Sequence, residues 1–316
     1  MILTLTVNPA IDHTVTTDRI SYEDRIYVRS SLEQAGGKGI NAAQVIQGLN
    51  APVLALAVCG GEAGRRFSEL LNSTRLPVKL IPIRNSIRRN LTITDLHGLT
   101  IKLDEAGPEL SREEERAIEE AVRNELDSAQ WLLLCGSLPP GLSVDFYARL
   151  IDMARRKGVK TLLDTGGEAL RVGLQARPTI AKPNRPEAER LLDRALLTRQ
   201  QSIEALHEIW QMGPESVVLS LGSEGALGTA GNGTYHALAP QIRQACPIGA
   251  GDALAATCVW ALSQNQSFPE ALRWGVAAGT AAAATPGTSF ASFRETQWMR
   301  EQVQVEMLSE GSPSLP

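Results

Sequence analysis

A glycine-flanked turn, Gly249-Ala250-Gly251-Asp252, runs straight into the helix-forming stretch Ala253 to Ser263. Gly249 and Gly251 let a backbone approach a ligand closely, and the unsatisfied N–H groups at the head of the helix attract an anion together with the positive end of its dipole. Asp252 then stands beside that anion. A carboxylate in such a place either caps the helix, a role worth roughly 1 kcal/mol, or takes part in catalysis.

Five further stretches carry groups of the same kind. Gln34-Ala-Gly-Gly-Lys-Gly-Ile-Asn41 puts three glycines around Lys38 at a helix start, a second place to hold an anion or a sugar. It is not a Walker A loop, because Lys38 precedes Gly39 and no Ser or Thr follows. In Asn8-Pro9-Ala10-Ile11-Asp12, after the first strand, Asn8 and Asp12 can bond hydroxyls or simply form an Asx turn. In Asn184-Arg-Pro-Glu187 the two oxygen-bearing side chains fall three apart at a helix start, suited to hydrated magnesium or to a cap with a first-turn acid. Gly222-Ser-Glu-Gly225 allows another close approach. Arg88-Arg89-Asn90 opens a strand, as a solvated edge or as donors to a phosphate.

The elements that must position these groups alternate. Ile2 to Val7, Val53 to Val58, Trp131 to Cys135, Thr161 to Asp164 and Val217 to Leu221 read as strands, separated by amphipathic helices such as the one opened by the Ser111 capping box. Short strands within 13–34 and 78–103 interrupt this rhythm and predict a small sheet acting as a lid, with Val78 to Ile83 counted among its strands. The fold class expected is therefore α/β: one domain over 1–316, mainly a parallel sheet with helices on both faces, with lid strands inserted at about 13–34 and 84–104. Asn8 to Asp12, Gly136 to Gly141, Asn184 to Glu187, Gly222 to Gly225 and Gly249 to Asp252 all follow strands, at the carboxyl edge where such sheets bind ligands.

Composition narrows the function. With 316 residues, 43% hydrophobic content and a net charge of −4, the chain offers no basic field for nucleic acid or an anionic membrane. No apolar run reaches the about 18 residues of a membrane span, and no signal peptide is evident at the first residues. Cys59, Cys135, Cys246 and Cys258 are widely spaced and read as buried free thiols of a cytoplasmic protein. Pro269 to Ala284 predicts an alanine-rich helix able to pack closely on its neighbour, Thr229 to Tyr235 a hairpin, and Glu310 to Pro316 a frayed tail.

Gly36-Gly37-Lys38-Gly39-Ile40-Asn41 and Gly249-Ala250-Gly251-Asp252, with Lys182-Pro183-Asn184 through Glu187 and Ser220-Leu221-Gly222 between them, resemble the ribokinase-like sugar kinases of the phosphofructokinase-B family over almost the whole chain. Asn8 to Asp12 and Arg88-x-Asn90 look most like the branch acting on ketohexose phosphates, 1-phosphofructokinase and tagatose-6-phosphate kinase. The resemblance implies ATP and Mg2+ as cofactors and a sugar phosphate as substrate. Placed on these residues, it makes Asp252 the general base and gives the amides of Gly249, Ala250, Gly251 and Asp252 the charge of the transferring phosphoryl group. Asp12, Gly37 and Asn41 would hold sugar hydroxyls. Lys38, Arg88 and Ser137 would hold its existing phosphate, with Arg25 of the lid joining them. Lys182, Ser220, Gly222 and Gly225 would face ATP, and Asn184 and Glu187 would organise magnesium through water. Ala255-Ala256-Thr257 and Gly166-Gly167 depart from the family pattern without removing any of these groups, and Pro247 precedes the glycines. The expected reaction is transfer from ATP to fructose 1-phosphate. Tagatose 6-phosphate is the alternative acceptor, a catalytically idle sugar-phosphate sensor is the alternative of another class, and the exposed lid suggests a homodimer.

Overall fold

The computed structural model describes residues 1–21, 24–231, 233–242, 248–285 and 290–309. Strand β1, Ile2–Thr6, is buried throughout, Thr4 and Thr6 included. Its alternation of Thr with apolar residues thus marks no wet face; both sides are covered, as parallel sheets require. From there the chain leaves the main sheet. Strands β2 (Ala10–Thr17) and β3 (Val28–Gly36) form an antiparallel pair before helix α1 (Lys38–Gly48) returns the chain to the core and β4 (Val53–Cys59) pairs in parallel with β1.

Helix α2 (Gly61–Thr74) leads to β5 (Val78–Pro82), which pairs in parallel with β4 and closes one edge of the main sheet. This corrects the expectation that Val78 to Ile83 belongs to the lid: Ile81 and Ile83 are buried in the main core. Strands β6 (Arg88–Asp95) and β7 (Thr100–Asp104) complete the lid, a four-stranded sheet in the order β3-β2-β6-β7.

The remaining elements follow the expected alternation. They are α3 (Arg112–Glu125), β8 (Trp131–Cys135), α4 (Phe146–Arg156), β9 (Lys160–Asp164), α5 (Gly167–Gln175), β10 (Ile180–Ala181), α6 (Arg185–Leu192), α7 (Arg199–Gln211) and β11 (Ser216–Ser220). Ser111 and Glu114 form the predicted capping box of α3. The chain ends with β12 (Ala226–Ala230), β13 (Gly233–Leu238), α8 (Ala250–Ser263), α9 (Phe268–Ala283), α10 (Phe293–Arg300) and β14 (Gln304–Ser309). Asn232 of the hairpin, Cys246, Pro247 and the Glu310 to Pro316 tail lie outside the described residues. Cys59, Cys135 and Cys258 are free.

The ten strands of the main sheet run β14-β13-β12-β11-β10-β9-β8-β1-β4-β5, parallel from β5 to β11 and antiparallel beyond. From β1 the chain passes first to β4 on one side and later to β8 on the other. The carboxyl end of β1 is therefore a switch point, where neighbouring connections diverge and leave a crevice. Helices α8 and α9 pack on each other so closely that a methyl group on Gly279 would lie 2.9 Å from the Ala250 carbonyl. This contact fixes the head of α8 against the core.

Candidate active site

Gly249 caps α8 with a left-handed backbone, φ 80°, and no side chain caps the helix. Asp252 is the third residue of the helix, and its carboxylate is directed elsewhere: Asn41 Nδ2 donates to Asp252 Oδ2 at 2.8 Å. The capping reading of Asp252 is thereby excluded. The acid is 8% exposed, and burial together with the charge of Asp164 pushes its pKa up to about 6, against the opposing influence of Lys38, Asn41 and Lys182.

Behind it lies a buried ion network. Asp164, at the end of β9, receives Lys38 Nζ at 2.8 Å and Lys182 Nζ at 3.1 Å, while Lys38 also meets Glu187 at 3.3 Å. Burial works against the charge of Asp164, but the two ammonium groups hold its pKa below the usual carboxylate range. Burial likewise works against Lys38, and Asp164, Glu187 and Asp252 overcome it. Two ammonium groups face three carboxylates, so the cluster is left one charge negative and favours a further cation. Asn184 and Glu187 form a reciprocal capping box: Asn184 Oδ1 accepts from the Glu187 N–H at 2.8 Å, and Glu187 Oε2 accepts from the Asn184 N–H at 2.9 Å. Both Glu187 oxygens are engaged, one by Lys38 and one by the Asn184 N–H, so these residues fit a cation met through water rather than one bound directly.

A cavity of about 540 Å³ extends from this cluster along α8. Ala250 and Gly251 line one end with Asn184 and Ser220; Val276, Ala283 and Ile242 supply apolar walls. Its size and its mixture of polar and apolar lining residues suit a ligand with a phosphate end and a flat apolar end. Asn184 and Ser220 are joined by a backbone bridge between the ends of β10 and β11.

On the other side of Asp252 the lid meets the crevice at β1. Asp12 lies within β2, one strand residue of the lid sheet rather than a loop residue as expected, directly opposite Asn90. Asn90 Nδ2 donates to Asp12 Oδ1 at 2.9 Å. Burial raises the Asp12 pKa, with Asn90 and Arg88 opposing. A methyl group on Gly36 would sit 1.9 Å from Asp12 Oδ2, so the glycine is needed to let this carboxylate lie against β3. Arg88 Nη1 donates to the Glu105 carbonyl at 2.9 Å, and Asn8 Nδ2 donates to Ser137 Oγ at 3.1 Å and to the Ala106 carbonyl at 2.9 Å. Three buried polar atoms here, Asn8 Oδ1, Arg88 Nε and Asn90 Oδ1, have no partner among the described residues. Unpaired polar groups of this kind suit a ligand rich in hydroxyl and phosphate oxygens.

The expected residues thus fall into two groups on either side of Asp252. Asp12, Arg88, Ser137 and Gly37 gather at the lid crevice. Asn184, Ser220, Gly222 and Gly225 line the nucleotide-sized cavity, while Lys182 and Glu187 belong to the ion network around Lys38 and Asp164. Lys38 pairs with Asp164 and Glu187, partners that its glycine-rich turn did not announce, and its side chain stays 33% exposed. Arg25 is exposed in the lid, where its backbone N–H bonds to Asp24, and no described contact joins its side chain to either group. Asp164 was missed from sequence. The available signal was a carboxylate at the carboxyl end of the all-apolar run Leu162-Leu163, on the rim shared by the other loops.

The chain belongs to the pfkB family of carbohydrate kinases, whose model matches residues 5–295. It is 32% identical over 299 residues to the ATP-dependent 6-phosphofructokinase isozyme 2 of Escherichia coli, covering 94% of this chain and 96% of that one. It is 30% identical over 307 residues to the 1-phosphofructokinase of Borreliella burgdorferi, covering 97% and 98%. A crystal structure of the Escherichia coli phosphofructokinase-2 in complex with substrates and products superposes with a TM-score of 0.88 at 31% identity, over 95% of this chain and 98% of that one. The protein is a phosphofructokinase-type sugar kinase, a phosphotransferase that uses ATP and an alcohol acceptor. No helix among the described residues is long and apolar enough to cross a membrane.

Proposed function

We propose that the protein transfers the γ-phosphoryl group of ATP to the free primary hydroxyl of a ketohexose monophosphate, with fructose 1-phosphate as acceptor and fructose 1,6-bisphosphate as product. The observation that carries this reading is the position of Asp252. Its helix lends Ala250 and Gly251 to the nucleotide-sized cavity, while its carboxylate is held by Asn41, which closes the glycine-rich motif leading from the lid. With a pKa of about 6 the group is mostly ionised at neutral pH yet close enough to accept a proton well.

In the step proposed, the acceptor oxygen attacks the γ-phosphorus in line, its proton passes to an Asp252 oxygen, and the bond to the ADP oxygen breaks. The amides at the head of α8 stabilise the charge on the moving phosphoryl group. Asn184 and Glu187 would hold magnesium through water, and that ion supplies neutralisation of the nucleotide's phosphate charge. Asp12 and Asn90 would bind sugar hydroxyls, with Gly37 and Asn41 beside them. Arg88 and Ser137 would take the phosphate already on the sugar; Lys38 pairs with Asp164 and Glu187. The reaction would take place in the cytoplasm.

Fructose 6-phosphate is a second reading, favoured by the 6-phosphofructokinase relative at 32% identity. Fructose 1-phosphate and fructose 6-phosphate each carry a phosphate at one end and a free primary hydroxyl at the other, so the ring hydroxyls must discriminate between them. A coupled ADP-release assay over fructose 1-phosphate, fructose 6-phosphate, tagatose 6-phosphate and fructose tests the proposal. The highest kcat/KM is expected with fructose 1-phosphate. Preference for free fructose would reject the phosphate role of Arg88, and no turnover with any sugar would return the protein to the sensor class. The lid carries six large hydrophobic side chains that are half or more exposed, Tyr27, Val28, Leu32, Leu96, Leu99 and Leu103, and the reading includes a second copy of the chain covering them.

A further inference from the structure

The nucleotide-sized cavity has one charged side chain in its described lining, Arg185, the first residue of α6 and the neighbour of Asn184. Arg185 Nη2 donates to Glu224 Oε1 at 2.6 Å, while Arg185 Nε is buried with no partner among the described residues. Glu224 belongs to the short turn between β11 and β12 that also lends Gly222, Ser223 and Gly225 to the cavity. That turn is anchored from behind. His236 on β13 lies 3.0 Å from the Glu224 carbonyl through Nε2. A carbonyl can only accept, so this nitrogen carries the proton, and burial favours the neutral ring. Glu224 therefore stands on a fixed support and restrains a long, otherwise mobile side chain.

We propose that Arg185 binds the phosphate chain of the nucleotide, with Glu224 as the residue that positions its guanidinium. The inference rests on the reading of this cavity as the ATP site and adds a residue to it. The one charged side chain in the described lining, beside the proposed magnesium-organising Asn184, meets an anionic end of the ligand. A planar guanidinium has five N–H donors, of which Glu224 engages Nη2, and its fork is shaped for phosphate oxygens. The Glu224 carboxylate does not neutralise the purpose of the contact, since it engages a different nitrogen and is itself half-exposed to water.

The charge of Arg185 is read by comparing ligands that differ only in phosphate. Isothermal calorimetry of the full chain with ADP, AMP and adenosine, in magnesium buffer, separates this role from a structural one. For Arg185→Gln, ADP binding weakens about tenfold, the lower end expected of a charged hydrogen bond at a partly exposed site. Adenosine binding stays within twofold of wild type. Arg185→Lys, which keeps the charge but loses the fork, falls between, and Glu224→Gln weakens ADP by less than Arg185→Gln does. An equal loss for all three ligands, or no loss of ADP binding in Arg185→Gln, overturns the assignment while leaving the cavity a nucleotide site. Failure of the wild-type chain to bind ADP would instead remove the nucleotide reading itself.

Discussion

Asp252 is held at a cost to the fold, and that cost is measurable. Folding raises its pKa from the usual carboxylate value of 3.8 to about 6. Between those values the native state binds more protons than the unfolded chain, so the stability contributed by this group falls as pH rises through the window. The shift of about two units corresponds to roughly 3 kcal/mol lost at pH 7, set mainly by burial and by the nearby Asp164 charge. Asp252→Asn removes the charge and keeps the shape, and its side-chain oxygen can still accept from Asn41. The variant is therefore expected to be more stable than wild type at pH 7, by up to roughly 3 kcal/mol, with the gap closing toward pH 4. Urea unfolding midpoints of both proteins from pH 4 to pH 8 measure this directly. Equal midpoints at every pH, or a variant less stable at pH 7, would refute the claim that the carboxylate is buried in an unfavourable field. The same shift shapes activity. The acid limb of kcat/KM is expected near pH 6, with a fall of about tenfold between pH 8 and pH 5, where an ordinary carboxylate would lose under about a tenth.

Other outcomes follow from single contacts. Asp164→Asn removes the charge that helps raise Asp252, so the acid limb moves below pH 6, toward the ordinary carboxylate range; a limb that stays or rises would show that Asp164 is not the source. Gly36→Ala drives a methyl group into Asp12 and should raise KM for the acceptor at least tenfold while leaving nucleotide affinity near wild type, as read by steady-state kinetics and ADP titration. Arg88→Gln should raise KM for the phosphorylated acceptor by about 10- to 100-fold, the range of a lost charged hydrogen bond, and an unchanged KM would remove Arg88 from the site. Leu103→Lys places a charge on the exposed lid and should shift a dimer toward monomer in light scattering.

Local pattern carried most of the architecture. Trp131 to Cys135 and the Ser111 capping box appear where their residues predict, because buried parallel strands and reciprocal caps have strong local signatures. The lid boundaries were less legible. Val78–Pro82 looks like any short β-branched strand, and only its register beside Val53–Cys59 assigns it to the main sheet. Asp12 follows a proline and reads as a loop residue, yet pairing with Asn90, 78 residues later, draws it into a strand. The rim of ligand loops was visible from their common position after strands. The identity of their partners was not, since charge pairing is long-range: Lys38 and Asp164 are 126 residues apart, and a lysine in a glycine-rich turn carries no mark of the carboxylate it will meet.

The central claim is that Asp252 accepts the proton of the attacking hydroxyl. Single-turnover phosphoryl transfer in wild type and Asp252→Asn, at saturating ATP and acceptor with ATP affinity checked by calorimetry, tests it most directly. The expected result is nucleotide affinity near wild type with transfer slowed by about 10²- to 10⁴-fold. Transfer at the wild-type rate would contradict the assignment.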